Sequence, residues 1–361
     1  MKKKYFKGAL AVALAATLTL TGCGSKEEPQ KAVQDAFVKS AEMKSYSFSS
    51  NFKVDDLQFN GTNEQTSGES MVANLLNNAE LSISGVGQME PMQVEATIDV
   101  AIKGDMSFTF SFPFSMTEEK MYIKIPNIPM LTGVLPAELV GKFIEMDLNE
   151  LAKEQGQQSM AFTAEDFTLS QKLNKDIFSN VMTKFDEKTY YKTIDVKKAK
   201  LEDGIKAKNV IKMAVTNDNF EEFTTTLLKD ALPALMDIMA KDEYKKLFQI
   251  EPTEIEKMKK ELKTADSDIQ KSIDDMKKEV KVNDISMLVA IDKDGYPVQQ
   301  SFVTNIESLS KKSGFKKIVF HVTSTISNIN KKQEFKIGTP TDAIPMNELE
   351  KSLNGLMGSG L

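Results

Sequence analysis

The chain has 361 residues, of which 46 are basic and 52 acidic; every basic residue is a lysine, and the formal net charge is −6. An acidic chain without arginine lacks the planar guanidinium that grips phosphate through two hydrogen bonds, which argues against nucleic-acid binding and phosphoryl transfer. With one cysteine, one histidine and no tryptophan, it also lacks the side chains for a disulfide framework or an ordinary zinc site, so we expect no metal and no cofactor.

Residues 1–22 have the layout of a secretory signal peptide. The first seven residues include four lysines. The apolar run that follows, from Gly8 to Leu20, is short for a membrane span. The sequence Leu20-Thr21-Gly22-Cys23 then resembles the bacterial lipobox, in which the cysteine sulfur receives a diacylglycerol and becomes the first residue after cleavage. An ordinary secreted protein with an unmodified cysteine is the alternative.

Lipidation of Cys23 would fix where the protein resides. Two acyl chains anchor a protein stably, whereas one chain gives only marginal binding. We therefore expect a chain that is held by Cys23 on the extracytoplasmic face of the cell membrane, with residues 23–29 as a polar tether.

Residues 30–148 are predicted to form an N-terminal helix and an antiparallel sheet. Pro29–Lys44 has a helical apolar period, and from Tyr46 onward the period changes to two. Further strands are predicted at Leu81–Val86, Met92–Ile102, Met106–Phe112, Lys120–Ile125 and Lys142–Leu148. Their spacing is that of a meander, without the alternation of strands and helices that a parallel sheet needs.

Residues 149–188 and 217–281 are predicted to be helical, and the segment between them, 189–216, to contain two strands. Pro233 is expected to kink the first helix of the second region. Thr253 and Glu256 have the spacing of a capping box. The heptad pattern after this box slips, which favours a helix or a helix pair that packs on its own domain over a sustained coiled coil.

Residues 282–361 are predicted to form C-terminal strands and a tail. Strands are expected at Ile285–Ile291, Pro297–Ile306, Lys316–Ser327 and Glu334–Ile337, with a short helix at Met346–Leu356. The stretch Asp292–Gly295 reads DKDG and favours a hairpin turn, with type I′ geometry as the expectation at Asp294-Gly295. A calcium loop is the alternative, but it would need further oxygen ligands where Tyr296 and Pro297 follow directly.

The single histidine, His321, lies in an alternating segment, with Val319, Thr323 and Thr325 on its own face. A catalytic histidine needs a nucleophile and an orienting carboxylate, and the sequence has no nucleophile motif such as G-x-S-x-G. We therefore expect a structural or surface role for His321 and no enzymatic activity.

The stretch MSFTFSFPFSM, residues 106–116, places four phenylalanines on one face of a strand and small polar residues on the other. The chain has 20 methionines and 21 phenylalanines. Such side chains suit an adaptable lipid-binding surface, and they equally suit an ordinary core. Phe108, Phe110 and Phe112 are the candidate ligand-binding residues.

Four stretches together resemble the LolA/LppX-like bacterial lipoproteins, in particular Gram-positive members without an assigned function. They are KSYSFSSNFKV (44–54), EKMYIKIPNIPMLTGVLPAELVGKFIEMDLNELA (119–152), VAIDKDGYPVQQSFVTN (289–305) and FKIGTPTDAIPMNELEKSL (335–353). The resemblance implies an α+β fold in which helices pack on the concave face of a curved antiparallel β half-barrel. It implies no fixed set of functional residues, and the helical insertions at 149–188 and 217–281 depart from the family pattern.

The resemblance also implies a function, because characterised relatives hold acyl chains between the sheet and the helices. The expected protein is a membrane-anchored lipoprotein that binds a lipid or another apolar ligand in that position. The alternative is a non-enzymatic structural or interaction protein with a filled core, whose partner would be another protein of the cell envelope.

Overall fold

The computed structural model describes residues 28–60, 68–104, 107–127, 137–154, 163–248, 250–264, 266–310 and 313–349. The strands are β1 (Ser45–Phe59), β2 (Ala79–Met89), β3 (Met92–Ile102), β4 (Phe108–Thr117), β5 (Lys120–Lys124), β6 (Phe143–Asp147), β7 (Tyr191–Ile194), β8 (Asn209–Val215), β9 (Val280–Ile291), β10 (Pro297–Ser308), β11 (Phe315–Ser327) and β12 (Ile344–Pro345). The α-helices are α1 (Pro29–Ser40), α2 (Gly68–Asn78), α3 (Leu148–Glu154), α4 (Ala164–Asn180), α5 (Glu187–Tyr190), α6 (Phe220–Thr226), α7 (Leu232–Met239), α8 (Lys245–Phe248), α9 (Pro252–Thr264) and α10 (Asp266–Glu279).

All twelve strands belong to one sheet, in the order β12-β6-β5-β4-β3-β2-β1-β11-β10-β9-β8-β7. Every neighbouring pair is antiparallel except β12 with β6. The two edge strands, β12 and β7, do not pair with each other, so the sheet is open and does not close into a barrel. The predicted α+β class with a large antiparallel sheet is confirmed.

The first and last thirds of the chain meet in the middle of this sheet. β1 pairs with β2 on one side and with β11 on the other, and Lys53 lies opposite His321. The meander β1 to β6 and the strands β8 to β11 are therefore two halves that are joined along the β1–β11 pair, which we call the seam.

Alternation along β1 to β4 and β11 separates an apolar face from a polar one, and at the β8–β10 end the second face also carries a buried apolar cluster of Val210, Ala290 and Val298. On β4, Phe110 lies opposite Val100 and Phe112 opposite Ile98, while Ser111 lies opposite Asp99 on the other face. Successive side chains of a strand point to opposite faces, so the register places the phenylalanines of β4 on the apolar face.

Helices cover the apolar face at the β7–β9 end of the sheet. Side chains of α1, α4, α6 and α7 form a buried core there with β8 and β9, around residues such as Ile211 and Val289. Within this core the ring of Phe185 stacks on Phe223, with 5.0 Å between centroids, and meets Tyr190 edge-on at 5.8 Å. The helices of residues 164–279 therefore supply most of this cover.

Two helix signals differ from the sequence prediction. Thr253 lies inside α9, which begins at Pro252, so the predicted capping box there is wrong; a proline at the first helical position marks the start instead. A capping box does start α4, where Thr163 Oγ1 accepts from Asp166 N at 3.2 Å and Thr163 N donates to Asp166 Oδ2 at 2.9 Å. At Pro233 the expected irregularity takes the form of a π-helical turn, Leu227–Ala231, just before the proline.

The segment 328–343, here called the strap, crosses the polar face and replaces the strand predicted at Glu334–Ile337. It begins beside β1, where Asn330 N donates to Ser45 O at 2.7 Å, and it ends at β12 beside β6. Buried Glu95 on β3 holds its middle, because its carboxylate accepts from the backbone amides of Lys336, Ile337 and Gly338 at 2.5, 2.8 and 2.6 Å. A single carboxylate thus satisfies three amides that a strand would have paired with a neighbour.

Candidate functional site

The apolar face has a covered part and a less covered part. In the covered part Ile211 and Val289 are 2% and 1% exposed, and the described members of this core include no side chain from β1 to β6. Near the seam the burial is incomplete: Phe52 is 36% exposed, Phe302 38% and Leu81 42%. Large apolar side chains are normally buried in a sheet interior, so this partial exposure marks the central part of the face as a candidate binding surface.

The three exposed side chains lie in one row across the strands. From β10 to β4 the residues opposite each other are Phe302, Val322, Phe52, Leu81, Val100 and Phe110. We call these six residues the apolar row. Neighbouring strands lie about 4.8 Å apart, so the five steps of the row span about 24 Å. An extended acyl chain could lie along a surface of this length.

Aromatic rings surround the exposed part of the row. The centroid of the Phe320 ring on β11 lies 5.8 Å from that of Phe52 and 5.9 Å from that of Phe302. On β4 the rings of Phe108 and Phe110 are nearly parallel at 6.4 Å. These contacts give the surface rigid, wide apolar side chains, which bind a flexible apolar ligand with little loss of their own conformational freedom.

Of the candidate residues from the sequence, Phe110 belongs to the apolar row, and Phe108 and Phe112 lie one step to either side on β4; all three are half-buried. Sequence reasoning missed Phe52 and Phe302. Both lie in segments of clear alternation, but the pairing of β1 with β11 that brings them together was not available from the pattern.

Small residues lie beside the row. Gly85 on β2 approaches β3 so closely that an added Cβ would lie 2.1 Å from the carbonyl oxygen of Glu95. At Gly87 an added Cβ would lie 3.7 Å from the ring of Tyr46. The hydroxyls of Ser50 and Ser324 lie 2.7 Å apart. Each hydroxyl thereby has a hydrogen-bond partner, so this polar pair can be covered by an apolar ligand without losing its bond.

His321 lies at the seam, on the polar face of the sheet. His321 Nδ1 lies 2.7 Å from Asp55 Oδ2, and Lys53 Nζ donates to Asp55 Oδ1 at 2.9 Å. Burial would raise the pKa of Asp55, but the hydrogen bonds from His321 and Lys53 outweigh it and hold the pKa below its usual value. Among the described residues His321 has no side-chain hydrogen bond to a hydroxyl, and its partner is the carboxylate of Asp55, so the geometry is not that of a nucleophile with its base.

The Asp292–Gly295 turn carries no metal site among the described residues, where no group of three or more His, Cys, Asp or Glu side chains could hold an ion. Asp292 Oδ1 instead accepts from the amides of Asp294 and Tyr296, at 2.9 Å each. Gly295 has φ +88°, but Asp294 does not have a positive φ. Type I′ requires positive φ at both positions, so the expected type I′ turn is wrong and only Gly295 uses the left-handed region.

The lipobox and Cys23 lie outside the described residues. No helix in the described ranges is both long and apolar enough to cross a membrane. Compared with known proteins, the chain matches no family model and has no significant match among curated proteins.

Proposed function

We propose that this protein is a membrane-anchored extracytoplasmic lipoprotein that binds a lipid or another apolar ligand on the central part of the apolar face. The observation that carries the proposal is the apolar row, in which Phe52, Phe302 and Leu81 remain over one third exposed. Covering apolar area is favourable by about 25 cal/mol per Å², so a ligand that covered a few hundred Å² here would gain several kcal/mol. The protein acts by binding, not by catalysis.

A curved sheet of the LolA/LppX type is part of the same proposal. It is supported by irregularities that increase strand twist: the β1–β11 pairing shifts register between Val54 and Asp56, and the β9–β10 pairing shifts between Pro297 and Gln299 and between Asn305 and Ile306. It is also supported by the helices that pack on one end of the apolar face. In this arrangement the ligand lies on the central part of the sheet, bordered by the helices that cover the β7–β9 end.

The anchor is tested at Cys23. Cys23→Ala removes the sulfur that would carry the diacylglycerol, so we expect loss of palmitate incorporation in cells and retention of the uncleaved precursor. Incorporation at the wild-type level would show that the lipobox assignment is wrong.

The ligand site is tested by native mass spectrometry with lipid extraction of protein purified from its own cells, and by binding of a fluorescent fatty acid. We expect co-purified lipid with the wild type and about tenfold weaker probe binding by Phe302→Ala, since a large apolar contact is lost. The matched control is Val303→Ala, on the neighbouring residue and the opposite face. Equal binding by the two variants would place the ligand elsewhere.

The alternative function makes the opposite prediction. A cell-envelope interaction protein with a filled core would contain no lipid and would not bind the fatty acid, even as wild type. That result would leave the polar face or the helices as the surface for a protein partner.

A further inference from the structure

The helix α2, which connects β1 to β2, is oriented with its large apolar side chains away from the protein. Met71 is 76% exposed, Val72 49%, Leu75 50% and Leu76 36%. These four positions are adjacent on a helix surface, because residues three or four apart lie on one face. They form a continuous apolar stripe that we call the α2 stripe.

The inner side of α2 is small and polar instead. Ala73 is buried, and Asn77 fixes the helix to β1, since its Oδ1 accepts from Leu57 N at 2.7 Å and its Nδ2 donates to Leu57 O at 3.1 Å. A surface helix normally presents its apolar stripe to the core. Here Asn77 holds the opposite orientation, so the exposure of the α2 stripe is built into the packing of the helix.

A second exposed apolar side chain lies at the same end of the sheet. The loop between β10 and β11 carries Leu309, which is 58% exposed. Asn60, at the end of β1, ties this loop down by donating from Nδ2 to the carbonyls of Ser310, Ser313 and Phe315 at 3.0, 3.1 and 2.9 Å. The α2 stripe and Leu309 are therefore both held at the end of the sheet where β1 finishes.

The contacts of α1 show where the N-terminal tether joins the body. The C-terminal part of α1 lies beside the β9–β10 turn, where Lys39 Nζ is 5.4 Å from the centroid of the Tyr296 ring. At the other end of the helix, Gln30 Nε2 donates to the carbonyls of Met182 and Phe185 at 2.9 Å each. Twelve helical residues span about 18 Å, so the tether joins the body beside the segment that leads into β7, about 18 Å along α1 from that turn.

We propose that the α2 stripe and Leu309 dock into the outer leaflet of the membrane and orient the protein on it. The inference rests on the proposed anchor for the identity of the surface: five residues separate Cys23 from Pro29, and the six Cα–Cα steps between them reach at most about 20 Å, so the body lies against the lipid. α2 contains one charged residue, Glu69. Docking therefore depends on insertion of apolar side chains more than on charge, and it should occur on zwitterionic as well as anionic lipid.

The absence of tryptophan from the chain provides a reporter without background. In the chain from residue 24 onward, which keeps every described residue and lacks the anchor, Leu75→Trp should fluoresce as an exposed indole and shift to the blue on phosphatidylcholine vesicles. The matched control is Met258→Trp on α9, an apolar site of 36% exposure outside α2, which should not shift. No shift of Leu75→Trp on any vesicle would overturn the proposal.

Vesicle flotation measures the same contact without a reporter. We expect the double variant Met71→Ser/Leu75→Ser to partition at least about tenfold less than wild type, and Met258→Ser to partition like wild type. A Leu75→Trp emission that is already blue without vesicles, and that depends on protein concentration, would instead assign the stripe to a second copy of the chain. A blue emission independent of concentration would assign it to another segment of the same chain.

The two proposals fail in different ways. Loss of vesicle binding by the unanchored chain, with palmitate still incorporated at Cys23, would refute docking by α2 and leave the anchor in place. Vesicle binding by the unanchored chain, with no palmitate incorporated into the full-length wild type in cells, would refute the anchor and leave the docking surface.

Discussion

The β7–β9 end and the central part of the sheet present the same apolar face in two environments. At the β7–β9 end, helices from residues 164–279 bury the face and leave Val289 1% exposed. Near the seam the same alternation leaves Phe52 and Phe302 over one third exposed. The comparison shows that alternation in a strand determines which face is apolar, whereas helices far away in the sequence determine whether that face is covered.

The largest expected effect contrasts one phenylalanine from each part. Phe185→Ala, in the covered core, should lower the free energy of unfolding by about 3–5 kcal/mol, because it removes a buried ring and leaves a cavity. Phe110→Ala, in the apolar row, should cost about 1–2 kcal/mol in ligand-free protein, because part of the ring already faces solvent. Urea unfolding of both variants measures the difference. Equal costs would show that the row is an ordinary core and would remove the distinction between the two parts.

The next effect concerns the strap, which Glu95 holds on the polar face of the β1–β6 half. Glu95→Ala should lower the unfolding free energy by about 3 kcal/mol, because three backbone amides of the strap lose their acceptor. Hydrogen exchange at Lys336, Ile337 and Gly338 should accelerate with it. Glu95→Gln is the matched control, since it keeps one acceptor oxygen and should cost less. Unchanged exchange in Glu95→Ala would show that the strap does not depend on this carboxylate.

A smaller effect, in the covered part, depends on pH. Asp176 accepts hydrogen bonds from Lys241 and from Tyr244 Oη, the latter at 3.0 Å. Burial would raise its pKa, but these bonds outweigh burial and hold the pKa below 3.8. The folded state thus binds its proton less tightly than the unfolded chain, so the stabilisation is present above about pH 4 and is lost as pH falls through the lowered pKa.

Asp176→Asn should therefore unfold at a lower temperature than wild type at pH 7, and the two should converge below pH 3. Melting curves from pH 7 to pH 2 measure this, with Asp35→Asn on the exposed side of α1 as the control. A difference that stays constant over the whole range would contradict the proposed role of the charge.

The smallest effect comes from Tyr190, whose buried hydroxyl has no hydrogen-bond partner within the described residues. Tyr190→Phe removes this polar atom and should leave stability at pH 7 unchanged or raise it by up to about 1 kcal/mol. Burial raises the pKa of Tyr190 from 10.0 to about 12. The folded state therefore keeps a proton that the unfolded chain releases, so wild type should lose stability between pH 10 and pH 12 and the variant should lose less. A loss above 2 kcal/mol at pH 7 would point to an unseen partner of the hydroxyl.

Local patterns predicted most strands because burial on one face produces alternation wherever a strand lies. They failed where contacts with distant parts of the chain determine the backbone conformation. The strap has strand-like composition at Glu334–Ile337, but its amides bond to Glu95 and not to a neighbouring strand. The helix α2 was not predicted, because no core-facing apolar stripe marks it in the sequence.

The candidate site was predicted only where it lies within one strand. Phe108, Phe110 and Phe112 alternate within a single segment, so the sequence alone placed them on one face. Phe52 and Phe302 belong to the same surface only because β11 lies between their strands. Pairing between distant segments is not encoded in local periodicity, so the length and direction of the apolar row required the strand order.

The seam has a consequence for how the protein is made. Asp55 and His321 contact each other across it and are 266 residues apart in the chain. Synthesis proceeds from the N-terminus, so β1 emerges early and keeps one edge unpaired until nearly the whole chain has followed. The meander β1 to β6 can form hairpins in the meantime, but the apolar row does not exist until β11 is added. The apolar row is thus a property of the finished chain alone, and a chain that ended before residue 315 would expose an open sheet edge and lack the row.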